Sequence, residues 1–144
     1  MLSKACEYGI KATVFLAQQS EKEKLANVKE IAKAIQSPEA FTAKVLQQLV
    51  QKSIIQSVKG AQGGFFIDKK VLKKITLMQI VAAIDGEDII NNCVLGLSHC
   101  SEKKPCPLHH KYKKIKIDIT NMLQTSLVSE LAVGLTQKLS VLTG

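Results

Sequence analysis

The chain has 144 residues, of which 46% are hydrophobic and 22% are charged, so it can build a folded domain and is not a disordered polymer. No apolar run reaches the roughly 18 residues that span a bilayer, and Glu7 and Lys11 interrupt any secretory signal, which predicts a cytoplasmic protein with free thiols and no membrane partner. The net charge of +8 lies mostly in residues 1–75, where 13 lysines accompany six acids, and this favours a polyanionic partner.

The first half of the chain predicts three helices. A helix over residues 3–19 begins at the capping residue Ser3, and a short second helix follows the capping residue Asn27. A third begins at Ser37-Pro38, a cap followed by a proline in the first helical position, and runs to about residue 52.

After the third helix, the residue pattern changes to one that predicts a β-hairpin. Residues 54–58 and 65–67 read as short strands around a glycine-rich turn. Three helices followed by this hairpin predict a mostly α-helical winged helix-turn-helix, with the third helix in the major groove of double-stranded DNA and the hairpin as a wing. The candidate DNA contacts are Lys44, Lys59 and Gln62, with Thr42 and Glu39 as weaker base-facing candidates.

The second half predicts a long dimerisation helix. A capping box at Thr76 and Gln79 begins another helix, which Gly86 ends. From Leu108 onward, apolar residues alternate in steps of four and three, which is typical of a seam for a partner helix in a homodimer: Leu108, Tyr112, Ile115, Ile119 and Met122. A last helix, which could fold back over the paired dimerisation helices, is indicated by Leu127, Leu131, Leu135 and Leu139.

These elements divide the chain into three parts. We expect a winged helix-turn-helix DNA-binding domain over residues 1–86, an irregular cysteine-bearing loop over 87–107 and dimerisation helices over 108–144.

The loop concentrates metal-ligating residues. Cys93, Cys100 and Cys106 fall within 14 residues and His109 follows, so three thiolates and an imidazole can complete a four-ligand site. The Cys106-Pro107 pair is typical of iron–sulfur ligation. Zinc could bind the same residues in place of an iron–sulfur cluster, although the lack of a Cys-x-x-Cys motif disfavours it. A thiol switch without a metal is a further alternative. Cys6 fits a helix core.

Short segments along essentially the whole chain carry a family resemblance: Leu2-Ser3-Lys4, Glu7-Tyr8, residues 45–49, the wing at 57–65, Ile75-Thr76-Leu77, Ile80-Val81, the cysteine loop with His109, and Thr125-Ser126-Leu127. They resemble the Rrf-type winged-helix regulators, which include IscR-like and NsrR-like iron–sulfur sensors. The resemblance implies a transcription factor whose cluster state sets its DNA affinity.

The resemblance also implies the ligand set and its alternatives. Cys93, Cys100 and Cys106 would ligate the cluster, and His109 is the preferred fourth ligand, as in a 2Fe–2S site. The alternative is a 4Fe–4S site completed by Glu7 of the partner subunit. Two departures from the family are Lys59 in place of the usual arginine and six residues, instead of five, between the first two cysteines.

The sequence also bears on two further function classes. A protein–protein adaptor would use the helical seam to recruit another protein and would bind DNA weakly, with little salt dependence. An enzyme is not expected, and neither is a small-molecule substrate, because no nucleophile–base pair, phosphate loop or paired-carboxylate motif is present in the sequence.

Overall fold

The computed structural model describes residues 1–138 and 140–144, so Leu139, which the sequence places in the last helix, lies outside the described residues. Within them the order is α1 (Lys4–Glu21), α2 (Val28–Ile35), α3 (Glu39–Gln51), β1 (Gln56–Val58), β2 (Gly64–Phe66), α4 (Lys69–Leu72), α5 (Leu77–Ile84), α6 (Asp88–Asn91), α7 (His109–Thr125) and α8 (Val128–Thr136). The prediction of a mostly helical fold with a two-stranded wing is confirmed.

The predicted helix starts follow from side-chain capping. The Ser3 hydroxyl accepts a hydrogen bond from the amide of Cys6, and the Asn27 side chain accepts one from Glu30. Thr76 and Gln79 form the reciprocal capping box. Each cap satisfies amides that the first turn of a helix leaves without intrahelical partners.

The third helix begins differently from the prediction. Pro38, not Ser37, occupies the N-cap position, and α3 starts at Glu39. The Ser37 hydroxyl instead contacts the hydroxyl of Thr42, which also donates to the Pro38 carbonyl at 2.8 Å.

The wing is anchored to the loop before α2. β1 and β2 are antiparallel, with Val58 opposite Gly64. Ala26 and Phe65 exchange two backbone hydrogen bonds, of 3.1 and 2.8 Å. A Cβ on Gly64 would lie 2.7 Å from the Ala26 carbonyl oxygen, so this close approach requires glycine.

The main core surrounds α1, which packs against α2, α3, α5 and α8. The contribution of α8 differs from the predicted grouping with the dimerisation helix. Val128 and Ala132 of α8 are fully buried in the core of the winged domain, whereas Leu131 is exposed. The helix thus folds back onto its own chain.

The long helix α7 has two apolar faces. Leu123 is buried with Cys6 and Val81, and this second cluster joins α7 to α1 and α5. Of the predicted seam, Ile119 and Tyr112 are half-buried, whereas the remaining three positions are exposed: Leu108, Ile115 and Met122. None of the helices over residues 1–138 and 140–144 is both long and apolar enough to cross a membrane.

Candidate metal centre and DNA-binding face

Three cysteines converge between α6 and α7. The Sγ atoms of Cys93 and Cys106 are 3.6 Å apart, and the Sγ atoms of Cys93, Cys100 and Cys106 all lie within 4.8 Å of one another. All are free thiols. Cys106 is buried and its amide donates to the Cys100 sulfur at 3.5 Å.

Local turns bring these residues together. The amide of Gly96 donates to the Cys93 carbonyl at 2.9 Å, and Gly96 has a φ of 70°, a conformation that glycine adopts without strain. Ser101 and Lys104 exchange two backbone hydrogen bonds, which close the turn that returns the chain to Cys106. The irregular backbone allows a convergence that a continuous helix over this segment would prevent.

His109, the first residue of α7, lies beside this group. Its Nδ1 is 3.1 Å from the Cys100 sulfur. Its Nε2 is buried, lies 3.4 Å from a carboxylate oxygen of Glu102, and makes no hydrogen bond with any residue that the structure describes. Glu102 also bonds the Lys113 ammonium.

The donor set fits a metal or an iron–sulfur cluster. Two thiolates bound to one tetrahedral metal at about 2.3 Å lie ~3.8 Å apart, close to the Cys93–Cys106 separation. Beside the cysteines an open pocket of about 430 Å³ is bordered by α6 and by Lys113, Lys116 and Ile117 of α7.

The pKa of the thiol distinguishes the ligand candidate Cys93 from the core residue Cys6. Hydrogen bonds from the backbone amides of Leu97 and Leu95 lower the pKa of Cys93 to about 7, which favours the thiolate that metals bind. Burial and, secondarily, the nearby Asp85 raise the pKa of Cys6 to about 12. Cys6 packs in the α1–α5–α7 cluster, as the sequence suggests.

The alternative fourth ligand, Glu7, lies elsewhere on the subunit. It is on α1, half-buried, with its carboxylate 2.9 Å from the Lys4 ammonium. That hydrogen bond lowers the pKa of Glu7. Within one chain His109 lies beside Cys100, whereas Glu7 is bonded to Lys4 on α1.

Most predicted DNA contacts lie on exposed surface. Glu39 and Lys44 are exposed on α3, and Lys59 and Gln62 are exposed at the wing tip. The prediction for Thr42 is wrong, because this side chain is fully buried and its hydroxyl is used within α3.

Sequence reasoning missed two further polar residues that α3 exposes beside the wing. Gln47 and Gln51 are exposed and line a groove of about 450 Å³ between α3 and the wing, together with Lys59. The helical period that places Val45 and Leu49 inside would have placed both glutamines outside.

Comparison with known proteins places this geometry in a family. Residues 2–133 match Rrf2, whose members are described as iron-dependent transcriptional regulators. A chain of Aquifex aeolicus (strain VF5) predicted to be an HTH-type transcriptional regulator is 32% identical over 133 residues, covering 91% of this chain and 90% of that one. The chain belongs to the Rrf2 family. It is a transcriptional regulator and not an enzyme.

Other known proteins are similar to this chain in sequence or in fold. The HTH-type transcriptional regulator NsrR of Oceanobacillus iheyensis is 24% identical, over 90% of this chain and 88% of its own. Among solved structures, CymR, the global cysteine regulator of B. subtilis, has a TM-score of 0.76 at 21% identity over 92% of this chain and 96% of its own. IscR of T. potens has a TM-score of 0.74 at 20% identity over 98% of this chain and 92% of its own.

Proposed function

We propose that this Rrf2-family regulator is a homodimer whose affinity for double-stranded DNA is set by an iron–sulfur cluster bound to Cys93, Cys100, Cys106 and His109. The observation that carries the proposal is the convergence of three free cysteine sulfurs within 4.8 Å of one another. The description of the family as iron-dependent and the resemblance to IscR-like and NsrR-like sensors support it.

The position of His109 supports the preference for a 2Fe–2S cluster. Its Nδ1 lies 3.1 Å from the Cys100 sulfur, so an imidazole is at hand as the fourth ligand beside the three cysteines. A 4Fe–4S cluster completed by Glu7 of the partner subunit would require that carboxylate to leave its lysine.

The cysteine segment can influence DNA binding through α7. When bound, an iron–sulfur cluster supplies redox chemistry, and its ligands tie the segment after α6 to the start of α7. The other end of α7 is fixed to α1 and α5 through Leu123. A change in the segment therefore alters how α7 lies relative to the winged domain, and in a dimer this changes the spacing of two recognition helices.

DNA contact is assigned to the exposed basic and polar residues of α3 and the wing. Lys44 and Lys59 would neutralise phosphates, and Gln62 would contact the backbone or the minor groove. Glu39 remains a weaker candidate for base contact, as an acceptor from cytosine. Dimerisation is assigned to the exposed stripe of Leu108, Ile115 and Met122.

A thiol switch is the second candidate function. The 3.6 Å separation of Cys93 and Cys106, together with the lowered pKa of Cys93, favours it. An oxidant such as a peroxide would convert Cys93 to a sulfenic acid, which the Cys106 thiol would condense with to form a disulfide and water. Zinc bound by the same four residues is the remaining metal alternative.

The test compares two forms of the protein on one duplex. Genomic fragments are selected with the cluster-bound protein, and Kd is then measured anaerobically for the cluster-bound and apo forms at several salt concentrations. We expect the two forms to differ in Kd at least tenfold. Lys59→Ala should reduce the salt slope by about 1.8, because each subunit of the homodimer loses one phosphate contact. Lys114→Ala, an exposed lysine on α7, is the control. Equal and salt-independent Kd values would instead favour the adaptor hypothesis.

A further inference from the structure

The two ring nitrogens of His109 have different surroundings. Nδ1 is directed at the Cys100 sulfur, 3.1 Å away, on the side where the three cysteines converge. Nε2 is on the opposite edge of the ring, buried, and 3.4 Å from Glu102. The contact with Glu102 lacks the alignment of a hydrogen bond, so Nε2 is the one buried polar side-chain atom left without a partner among the described residues.

Glu102 is itself held in place. It lies in the turn that the Ser101–Lys104 backbone pair closes, and the Ser101 hydroxyl accepts a further hydrogen bond from the Lys104 amide at 3.2 Å. Lys113, one turn after His109 on α7, bonds the same carboxylate oxygen of Glu102 that lies nearest His109 Nε2. The carboxylate of Glu102 is thus held beside the His109 ring by its bond to Lys113.

A neutral imidazole can carry its proton on either nitrogen, and only the bare nitrogen can bind a metal. A buried N–H that faces a carboxylate is stabilised, whereas a bare nitrogen facing a carboxylate would be repelled by it. The arrangement around His109 therefore favours the proton on Nε2 and leaves Nδ1 free beside Cys100. Histidine ligands are commonly oriented by a carboxylate in this way.

We propose that Glu102 is a positioning residue, which binds the Nε2–H of His109 and so presents Nδ1 as the metal-ligating atom, with Lys113 holding the carboxylate. This inference rests on the proposed function, because it assigns a task to Glu102 within the same site. His110 also lies near Glu102, but it is exposed and the carboxylate already bonds Lys113, so the group favours an ion pair over a second metal site.

The first test uses the apo protein and needs no cluster. Long-range ¹H–¹⁵N NMR of histidine-labelled protein reports which nitrogen of His109 carries the proton. We expect the Nε2–H form to dominate in the wild type and in the control Glu130→Ala, which changes an exposed glutamate on α8. Glu102→Ala should lose this preference, whereas Glu102→Gln, which keeps an acceptor oxygen, should retain most of it. A wild-type tautomer in Glu102→Ala would overturn the proposal.

The second test uses the reconstituted protein. After anaerobic loading with iron and sulfide, release of iron to a chelator should be ~10-fold faster in Glu102→Ala than in the wild type and in Glu130→Ala. The reduced cluster of the wild type should show a ¹⁵N hyperfine coupling from Nδ1 of His109. An unchanged release rate, or a coupling from Nε2, would overturn the assignment. Failure of the wild type to take up iron would contradict the proposed function, and the apo tautomer would still decide whether Glu102 orients His109.

Discussion

The sulfurs of the loop cysteines have surroundings that differ from those of Cys6. Cys93 lies in an irregular loop where backbone amides reach its sulfur, and the Cys106 sulfur is 3.6 Å away. Cys6 is fully buried against Val81 and Leu123. Amides stabilise a thiolate, whereas an apolar environment penalises it, so the same side chain has different chemistry at the two positions.

This contrast predicts how the apo protein reacts with iodoacetamide. Because the pKa of Cys93 is lowered to about 7, its alkylation rate should rise with pH and reach half of its maximum near pH 7. Cys6, with a pKa of about 12 and no exposure, should stay unmodified at pH 8 in the folded protein. Mass spectrometry of timed digests measures both. Modification of Cys6 as fast as Cys93 would contradict these assignments.

Single residues also show where sequence reasoning reached its limit. The clustering of cysteines and His109 was visible in the sequence because all four lie in one short segment. The helical period also places Thr42 on the buried face with Val45 and Leu49, but its polar side chain suggested exposure. Its hydroxyl is satisfied inside α3, which a sequence does not show. The role of Glu102 depends on a tertiary contact with His109 that no spacing rule encodes.

At the scale of elements, α7 presents one face to its own domain and another to solvent. The neighbours Met122 and Leu123 represent the two faces, with exposed fractions of 51% and 1%. Since α7 is held to α1 and α5 through the cluster that contains Leu123, this side chain joins the cysteine-bearing half of the protein to the winged domain.

Substitution of these two neighbours should separate the faces. Leu123→Ala removes buried methyl groups and should lower the free energy of unfolding by about 3 kcal/mol. Met122→Ala alters an exposed side chain and should change the stability of the subunit by less than about 0.5 kcal/mol. Urea unfolding, carried out in an Ile115→Lys background so that the proposed dimer seam does not contribute, measures both changes. Equal losses in the two variants would show that the helix does not pack as described.

The elements themselves were predictable to different degrees. Capping residues fixed the starts of α1, α2 and α5, because a side-chain cap is a local interaction. The docking of α8 was not predictable, because an amphipathic helix buries its apolar face equally well against its own chain or a partner. The short helices α4 and α6 are a single turn each and carry no periodic signal.

At the scale of the whole molecule, the exposed stripe of α7 bears on how two subunits meet. Ile115 and Met122 are half-exposed on the stripe that the sequence predicts as a seam. Ile117 is exposed to the same extent, at 50%, but points away from the stripe, since two residues rotate a helix by about 200°. The two isoleucines therefore form a matched pair for testing the proposed homodimer.

Introduction of a charge at each isoleucine should give opposite results. Ile115→Lys would place an ammonium in the apolar seam and should convert the dimer to a monomer in sedimentation velocity at micromolar concentrations. Ile117→Lys should leave the protein dimeric. Loss of the dimer in Ile115→Lys should also weaken binding to a two-half-site duplex. A dimer that persists in Ile115→Lys but dissociates in Ile117→Lys would assign the interface to the other face.

The proposal that the three loop cysteines hold an iron–sulfur cluster is decided by the metal content of the purified protein. Anaerobically purified wild type, Cys100→Ala and the buried-core control Cys6→Ala are compared by visible absorbance and by iron, zinc and acid-labile sulfide content. We predict iron and sulfide with visible absorbance in the wild type and in Cys6→Ala, and their loss in Cys100→Ala. A colourless wild type that remains free of iron after reconstitution would contradict the claim and leave the thiol switch, whereas zinc without sulfide would identify a zinc site.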